Sequence, residues 1–104
     1  MTAAGADPFA ALGDAHRRQI VAILANGEHS VQELANALPI SRPAVSRHLR
    51  LLREARLVTD RPVGVRRLYS LDDRGAQEVR SYMQEIWGEA MARFKMAAEN
   101  TSTR

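Results

Sequence analysis

The segment SRPAVSRHLRLL, residues 41–52, decides how this chain is read. Ser41 is suited to cap a helix, its hydroxyl accepting from an amide of the first turn. Pro43 is tolerated nearby because the opening amides of a helix have no intrahelical acceptor. Val45, Leu49 and Leu52 recur at i, i+4 and i+7, the spacing of one buried stripe on a helix spanning residues 41–56. With that stripe turned inward, Arg42, Ser46, Arg47, Arg50 and Arg53 are left pointing outward or sideways. The helix therefore has an apolar back and a cationic front.

The chain supplies matching pieces on both sides of this helix. Upstream, Ser30-Val31-Gln32-Glu33 is a capping box, and Val31, Leu34, Ala35 and Leu38 follow helical spacing until Pro39-Ile40 interrupts it. Two short helices with so short a joint form a helix-turn-helix. Farther upstream, Asp7-Pro8 opens a short helix bearing Phe9 and Leu12. Asp14 caps another, with Ile20, Val21 and Leu24 on its apolar side and Asn26-Gly27 as its stop.

Downstream of Leu57 the period falls to two. LVTDR and VRRLYSL read as strands around Pro62-Val63-Gly64, a hairpin with arginines on both arms. Asp72 or Asp73 then caps a final helix. Its apolar positions Ala76, Val79, Met83, Ile86, Ala90, Phe94 and Ala97 step by threes and fours, and Tyr82, Trp87 and Met91 widen the stripe. The tail AENTSTR reads as frayed. The predicted fold is mainly α with a small β-hairpin wing, a winged helix-turn-helix. Its order is four helices, two strands and a helix, in a single domain over residues 1–104. The helix-turn-helix falls at about 30–56, the wing at about 57–71, and dimerisation helices at about 8–13 and 73–98.

Charge follows the same layout. The net charge is +3, and fourteen of the fifteen basic residues are arginine, Lys95 being the exception. From Arg42 to Arg67 there are eight arginines against Glu54 and Asp60, a local balance of +6, so the rest of the chain carries −3. A basic segment in a near-neutral remainder is the footprint expected for a polyanion partner, the plainer alternative being a solvated arginine-rich face. Arginine can bond guanine bidentately, and the first half of a recognition helix is the part that meets base edges. The candidate DNA contacts are therefore Ser41, Arg42, Pro43, Ser46, Arg47 and Arg50 on the helix, with Arg61, Arg66 and Arg67 on the wing.

Other classes are excluded by what the sequence lacks. With no cysteine there is no disulfide, thiolate metal site or cysteine nucleophile. No run of about 18 apolar residues would span a membrane, and the first residues have neither the basic region nor the apolar run of a secretory leader. The expected location is cytoplasmic. No nucleophile, base and acid arrangement has motif context, so neither enzyme activity nor a cofactor is expected. Of the three histidines, His48 is expected to pack or to touch phosphate, and His16 and His29 to be exposed. No metal ligand is assigned, since structural zinc usually needs four coordinated ligands. Glu78, Glu85 and Glu89 read as a solvated face.

The runs LGDAHRRQIVAIL, SVQELANALPISRPAVSRHLRLLREARLV and RRLYSLD resemble the ArsR-type family of bacterial winged-helix repressors, over about Phe9 to Phe94. The resemblance implies a homodimer, with first and last helices at the interface and two recognition helices facing a palindromic operator. Binding would block transcription until an inducer releases it. The family's metal sensors carry paired cysteines in the third helix, where this chain has SVQELAN. Others use Asp and His along the last helix, which here has no histidine. The resemblance is thus to the metal-independent branch, and any small-molecule or lipid effector does not carry over.

Length tests the dimer reading independently. From Asp73 to Ala98 the last helix would reach about 39 Å at 1.5 Å per residue, too long for a chain of 104 residues to cover by itself. Its stripe calls for a second surface, which a two-fold partner supplies most simply. The expected interface is Phe9, Leu12, Val79, Met83, Ile86, Trp87, Ala90, Met91 and Phe94; the alternative is that Met83, Trp87 and Met91 close the chain's own core. Two other functional classes remain open on the residues alone. One is a protein-interaction or RNA-binding winged helix; the other is a metal-responsive regulator with an unfamiliar site.

Overall fold

The computed structural model of the protein describes residues 7–102. Its elements are α1 (Pro8–Ala11), α2 (Ala15–Leu24), β1 (His29–Ser30), α3 (Val31–Ala37), α4 (Arg42–Glu54), β2 (Val58–Val63), β3 (Arg66–Leu71) and α5 (Asp73–Ser102). This is the winged helix-turn-helix expected from the sequence, with one strand added. β1 pairs antiparallel with β3, His29 opposite Tyr69 and Ser30 opposite Leu68, so the sheet has three strands in the order β1-β3-β2. Two residues are too few to show an alternation of period two, which is why β1 was not expected.

Side-chain caps set the helix starts. Asp7 Oδ1 accepts from the Phe9 amide, and Asp14 Oδ1 from the Arg17 amide, each at 3.0 Å. Ser30 and Glu33 exchange both bonds of the capping box, at 2.7 and 3.2 Å. Ser41 Oγ accepts from the Ala44 amide at 3.3 Å. Of the two aspartates at the start of α5, Asp72 is the cap, its Oδ1 accepting from the Arg74 amide at 3.0 Å. Each cap satisfies an amide that the helix itself leaves free.

α4 ends by a device that the sequence does not advertise. The Leu57 amide donates to Leu52 O and the Arg56 amide to Arg53 O, both at 3.0 Å. That pair of bonds is the C-terminal motif that usually places glycine in the left-handed region, yet here Arg56 occupies it at φ +60°. For a residue with a Cβ this costs about 1 kcal/mol. The turn brings Arg56 O within 2.8 Å of the Gly75 amide, which donates to it. A Cβ on Gly75 would stand 2.8 Å from that same oxygen, so only glycine lets α5 start this close to the end of α4.

The core is built from α1 through the start of β2. Ile20, Leu24, Leu34, Val45, Leu49, Leu52, Leu57 and Val58 are buried together with Ala11 and Ala55. Burying each large aliphatic side chain contributes about 1.5–3 kcal/mol. Among the described residues, no side chain of α5 belongs to this core.

Two boundaries differ from expectation. The hairpin turns at Gly64-Val65, not at Pro62-Val63-Gly64: Val63 pairs with Arg66, and Pro62 lies inside β2 opposite Arg67. Proline is tolerated there because β2 is an edge strand. Gly64, at φ +63°, takes the first loop position, where two-residue hairpins favour glycine. The tail is helical through Ser102 rather than frayed from Ala98, because neither glycine nor proline interrupts it. Its last two residues, Thr103 and Arg104, lie outside the described residues.

Candidate nucleic-acid interface

The buried stripe of α4 holds as its spacing requires, with Val45, Leu49 and Leu52 at most 1% exposed. Opposite that stripe, Ser41, Arg42, Pro43, Ser46, Arg47 and Arg50 are all exposed. The guanidinium groups of Arg47 and Arg50 make no hydrogen bond or ion pair with other described residues, so their donors are available. Arg42 is loosely held: its Nη1 donates to Gln32 Oε1 at 3.4 Å, while Gln32 Nε2 donates to Asn36 Oδ1 at 2.9 Å. Gln32 and Asn36 extend the polar surface onto α3, which the sequence reading missed. An i, i+4 amide pair was the available signal.

The three wing arginines are exposed but differ in freedom. Arg61 is forked onto Glu28, its Nε and Nη2 each donating at 2.8 Å. That bond holds the Glu28 carboxyl below its usual range and raises the guanidinium of Arg61. Arg67 donates to Asp60 at 3.0 Å, and Asp60 also lies 3.5 Å from Arg53 of α4. Asp60, with its side chain only 10% exposed, therefore ties the wing to the recognition helix. Arg66 has no such partner among the described residues. Ser30, Val31, Gln32, Arg42, Arg66 and Tyr69 face one groove of about 400 Å³ between α3, α4 and the wing. The arrangement offers a duplex one cationic rod and one cationic hairpin on the same side.

Known proteins share both the sequence and this architecture. The profile described as "Bacterial regulatory protein, arsR family" matches residues 14–60. The HTH-type transcriptional regulator Rv2034 of Mycobacterium tuberculosis is 50% identical over 84 residues, 81% of this chain and 78% of that one. The transcriptional repressor SdpR of Bacillus subtilis is 32% identical over 75 residues, 72% of this chain and 83% of that protein. A crystal structure described as a possible transcriptional regulator for arsenical resistance superposes with a TM-score of 0.73 at 37% identity, covering 88% of this chain and 95% of the other.

The chain belongs to the ArsR family. It is a DNA-binding transcriptional regulator, and its relatives are regulators rather than enzymes. Within the ArsR architecture, α3 and α4 form the helix-turn-helix, and β2 and β3 form the wing.

The histidines correct one expectation. His16 and His29 are half-buried rather than exposed. The ring of His16 lies 5.8 Å from that of His48, and His29 Nδ1, at the start of β1, is 2.8 Å from Gly27 O in the preceding turn. His48 points inward and is 6% exposed, so packing accounts for it and contact with phosphate does not. Asp14, His16 and His48 bring possible metal-ligand atoms within 4.8 Å of one another. The Asp14–His48 pair stands wider than in a zinc site, where bonds of about 2.0–2.2 Å bring neighbouring ligand atoms to roughly 3.4 Å. Asp14 Oδ1 is 4.0 Å from His48 Nδ1, and the guanidinium of Arg17 stands 3.4 Å from that nitrogen.

The expected dimer face is also laid bare. Phe9, Met83, Ile86, Trp87 and Phe94 are exposed, while Leu12, Val79 and Ala90 are half-buried. Met83 and Trp87 therefore do not close the chain's own core. The side chain of Met91 lies outside the described residues. Phe9 and Tyr82 meet edge to face at 5.1 Å, and Tyr82 meets Trp87 at 6.2 Å, so α1 and α5 form one continuous apolar surface. Glu78, Glu85 and Glu89 are exposed, as a solvated face requires.

Proposed function

We propose that this ArsR-family protein is a homodimeric repressor of a palindromic operator and does not sense metal through the family's usual sites. One observation carries the reading: two uncovered surfaces of opposite character share one small domain. The arginines of α4 and the wing are presented to solvent, and so are Trp87 and Phe94, at 45% and 77% exposure. Exposed apolar patches of this kind mark association surfaces. A two-fold axis through α1 and α5 would cover that patch and present two recognition helices together.

In this reading Arg42 and Arg47 read base edges, with Ser41, Pro43, Ser46 and Arg50 beside them. Arg66, Arg67 and Arg61 hold phosphates. Phe9, Leu12, Val79, Met83, Ile86, Trp87, Ala90, Met91 and Phe94 form the interface. An effector that shifts the dimer between operator-binding and released forms would be a small molecule or lipid in the cleft between protomers. No helix among the described residues is long and apolar enough to cross a membrane, and a cytoplasmic location suits the role.

Selection of bound sequences from random duplex DNA tests the proposal. One enriched palindrome with half-sites about one helical turn apart is the expected result. Binding that falls with salt yet enriches no sequence would overturn the specific reading. Enrichment of single-stranded RNA instead would favour the RNA-binding alternative.

A further inference from the structure

Under the recognition helix lies a polar cluster that direct contact with DNA does not use. Arg17, in the first turn of α2, is its centre. Its Nε donates to Ala11 O at 2.6 Å and its Nη2 to Ala10 O at 3.4 Å, so two of its donors are spent on the C-terminal carbonyls of α1. Its Nη1 lies 3.4 Å from His48 Nδ1, across 31 positions of sequence. A guanidinium can only donate, so this bond forms with the neutral imidazole that carries its proton on Nε2 and its lone pair on Nδ1. The backbone amide of Arg17 is itself fixed by the Asp14 cap at 3.0 Å. Burial pushes the His48 imidazole below its ordinary value and the charges of Arg17, Arg47 and His16 add to that, while Asp14 opposes it.

This cluster joins the two surfaces on which the proposed function depends. α1 carries Phe9, which packs on Tyr82 of α5, and His48 is an inward side chain of α4. Arg18 strengthens the α1 end, its Nη1 donating to Leu12 O at 2.7 Å. The carbonyls of Ala10, Ala11 and Leu12 at the end of α1 are thus held by α2, Ala10 O accepting from the Gly13 amide as well, and α2 in turn reaches α4 through one bond.

We infer that Arg17 and His48 are positioning residues for operator recognition, a strut that sets the angle of α4 against the α1–α5 face. The inference rests on the DNA-binding reading above, since only a dimer facing a duplex requires the two helices at a set angle. Packing of Val45, Leu49 and Leu52 would allow small rotations of α4 about its own axis, because apolar contacts have no direction. A directed polar bond from a guanidinium held at its other donors does not. An error of about 1 Å at α4 is enough to spoil bidentate contacts with bases, whose tolerance is a few tenths of an ångström.

The test compares His48→Leu, which fills the site without an acceptor, with His48→Asn, whose amide oxygen falls where Nδ1 now sits. Because the chain has no cysteine, Glu54→Cys on the exposed end of α4 and Glu85→Cys on α5 can be spin-labelled within one protomer and diluted with unlabelled chain. The distance distribution between α4 and α5 is then read by electron spin resonance. His48→Leu is expected to remain folded and dimeric but to broaden or shift that distribution. It should also weaken the selected operator at least tenfold while binding random duplex as before. His48→Asn should restore both to near wild type. An unchanged distribution in His48→Leu overturns the strut, whatever happens to DNA binding. A shifted distribution with unchanged operator affinity would keep the strut and remove its role in recognition. If the wild type enriches no operator, the functional reading fails while the distances still decide whether the strut exists.

Discussion

α4 and α5 are both amphipathic helices, yet the fold treats them in opposite ways. The apolar stripe of α4 lies between α2, α3 and the sheet and is sealed, leaving a polar outer side with five arginines, at positions 42, 47, 50, 53 and 56 in and just after the helix. In α5 the polar side is exposed as well, but so is the apolar one, with Phe94 77% exposed and Ile86 54%. The helix is 30 residues long, about 45 Å at 1.5 Å per residue, and the rest of the chain is too small to cover it. A stripe becomes core only where its own chain supplies the opposing surface. Where it does not, the stripe is an invitation to another chain.

Breaking the α5 side of this comparison should have the largest effect. Trp87→Glu places a charge in the middle of the apolar patch, and loss of such an anchor costs about 2 kcal/mol or more. Sedimentation should show monomers, and operator affinity should fall by about a hundredfold or more. A wild type that sediments as a monomer at micromolar concentration would remove the contrast altogether. On the α4 side, Arg47→Ala should cost about 1–3 kcal/mol of operator binding and relax sequence choice while leaving the dimer intact. Unchanged affinity in the Arg42→Ala, Arg47→Ala double variant would contradict the assignment of this face.

Smaller effects sharpen the comparison by separating fold from surface. Ser30→Ala removes half of the capping box under the helix-turn-helix. It should lower stability by about 1 kcal/mol and the melting temperature by roughly 4–8 °C, read by circular dichroism. The Glu33 half of the box titrates. Hydrogen bonds from the Ser30 amide and hydroxyl hold the Glu33 carboxyl below its ordinary value of 4.5. Its contribution is therefore complete above that value and is lost as the pH falls through the lower, folded value. Acid titration of stability should accordingly be steeper for wild type than for Glu33→Gln. Arg66→Ala should have the mildest effect. It should weaken all duplexes alike and reduce the slope of log affinity against log salt by about one, whereas a change in sequence preference would move Arg66 from phosphate to base contact.

Most of the architecture was legible because its signals are local. Caps at Asp7, Asp14, Ser30 and Ser41, the stripe of α4 and the alternation of the hairpin each involve residues a few positions apart. What stayed hidden depends on long-range contact. β1 exists because residues 38 and 40 positions later present a strand edge to it. The ion pair of Arg61 with Glu28 spans 33 positions, and the burial of His48 against Arg17 spans 31. The arginines of the wing looked equivalent in sequence. Folding pairs Arg61 and Arg67 with acids and leaves Arg66 open.

By itself the sequence determined where the longer helices and the wing hairpin form, which side of α4 faces inward, and where positive charge gathers. Those properties follow from periods of 3.6 and 2 and from capping chemistry within a turn. Only the tertiary structure decided that, among the described residues, α5 contributes no side chain to the core, that Arg56 must take a left-handed turn, and that a guanidinium from α2 reaches the back of the recognition helix. Each of these depends on which surfaces meet after the chain has folded back on itself, and nothing in the local spacing of residues encodes that distance.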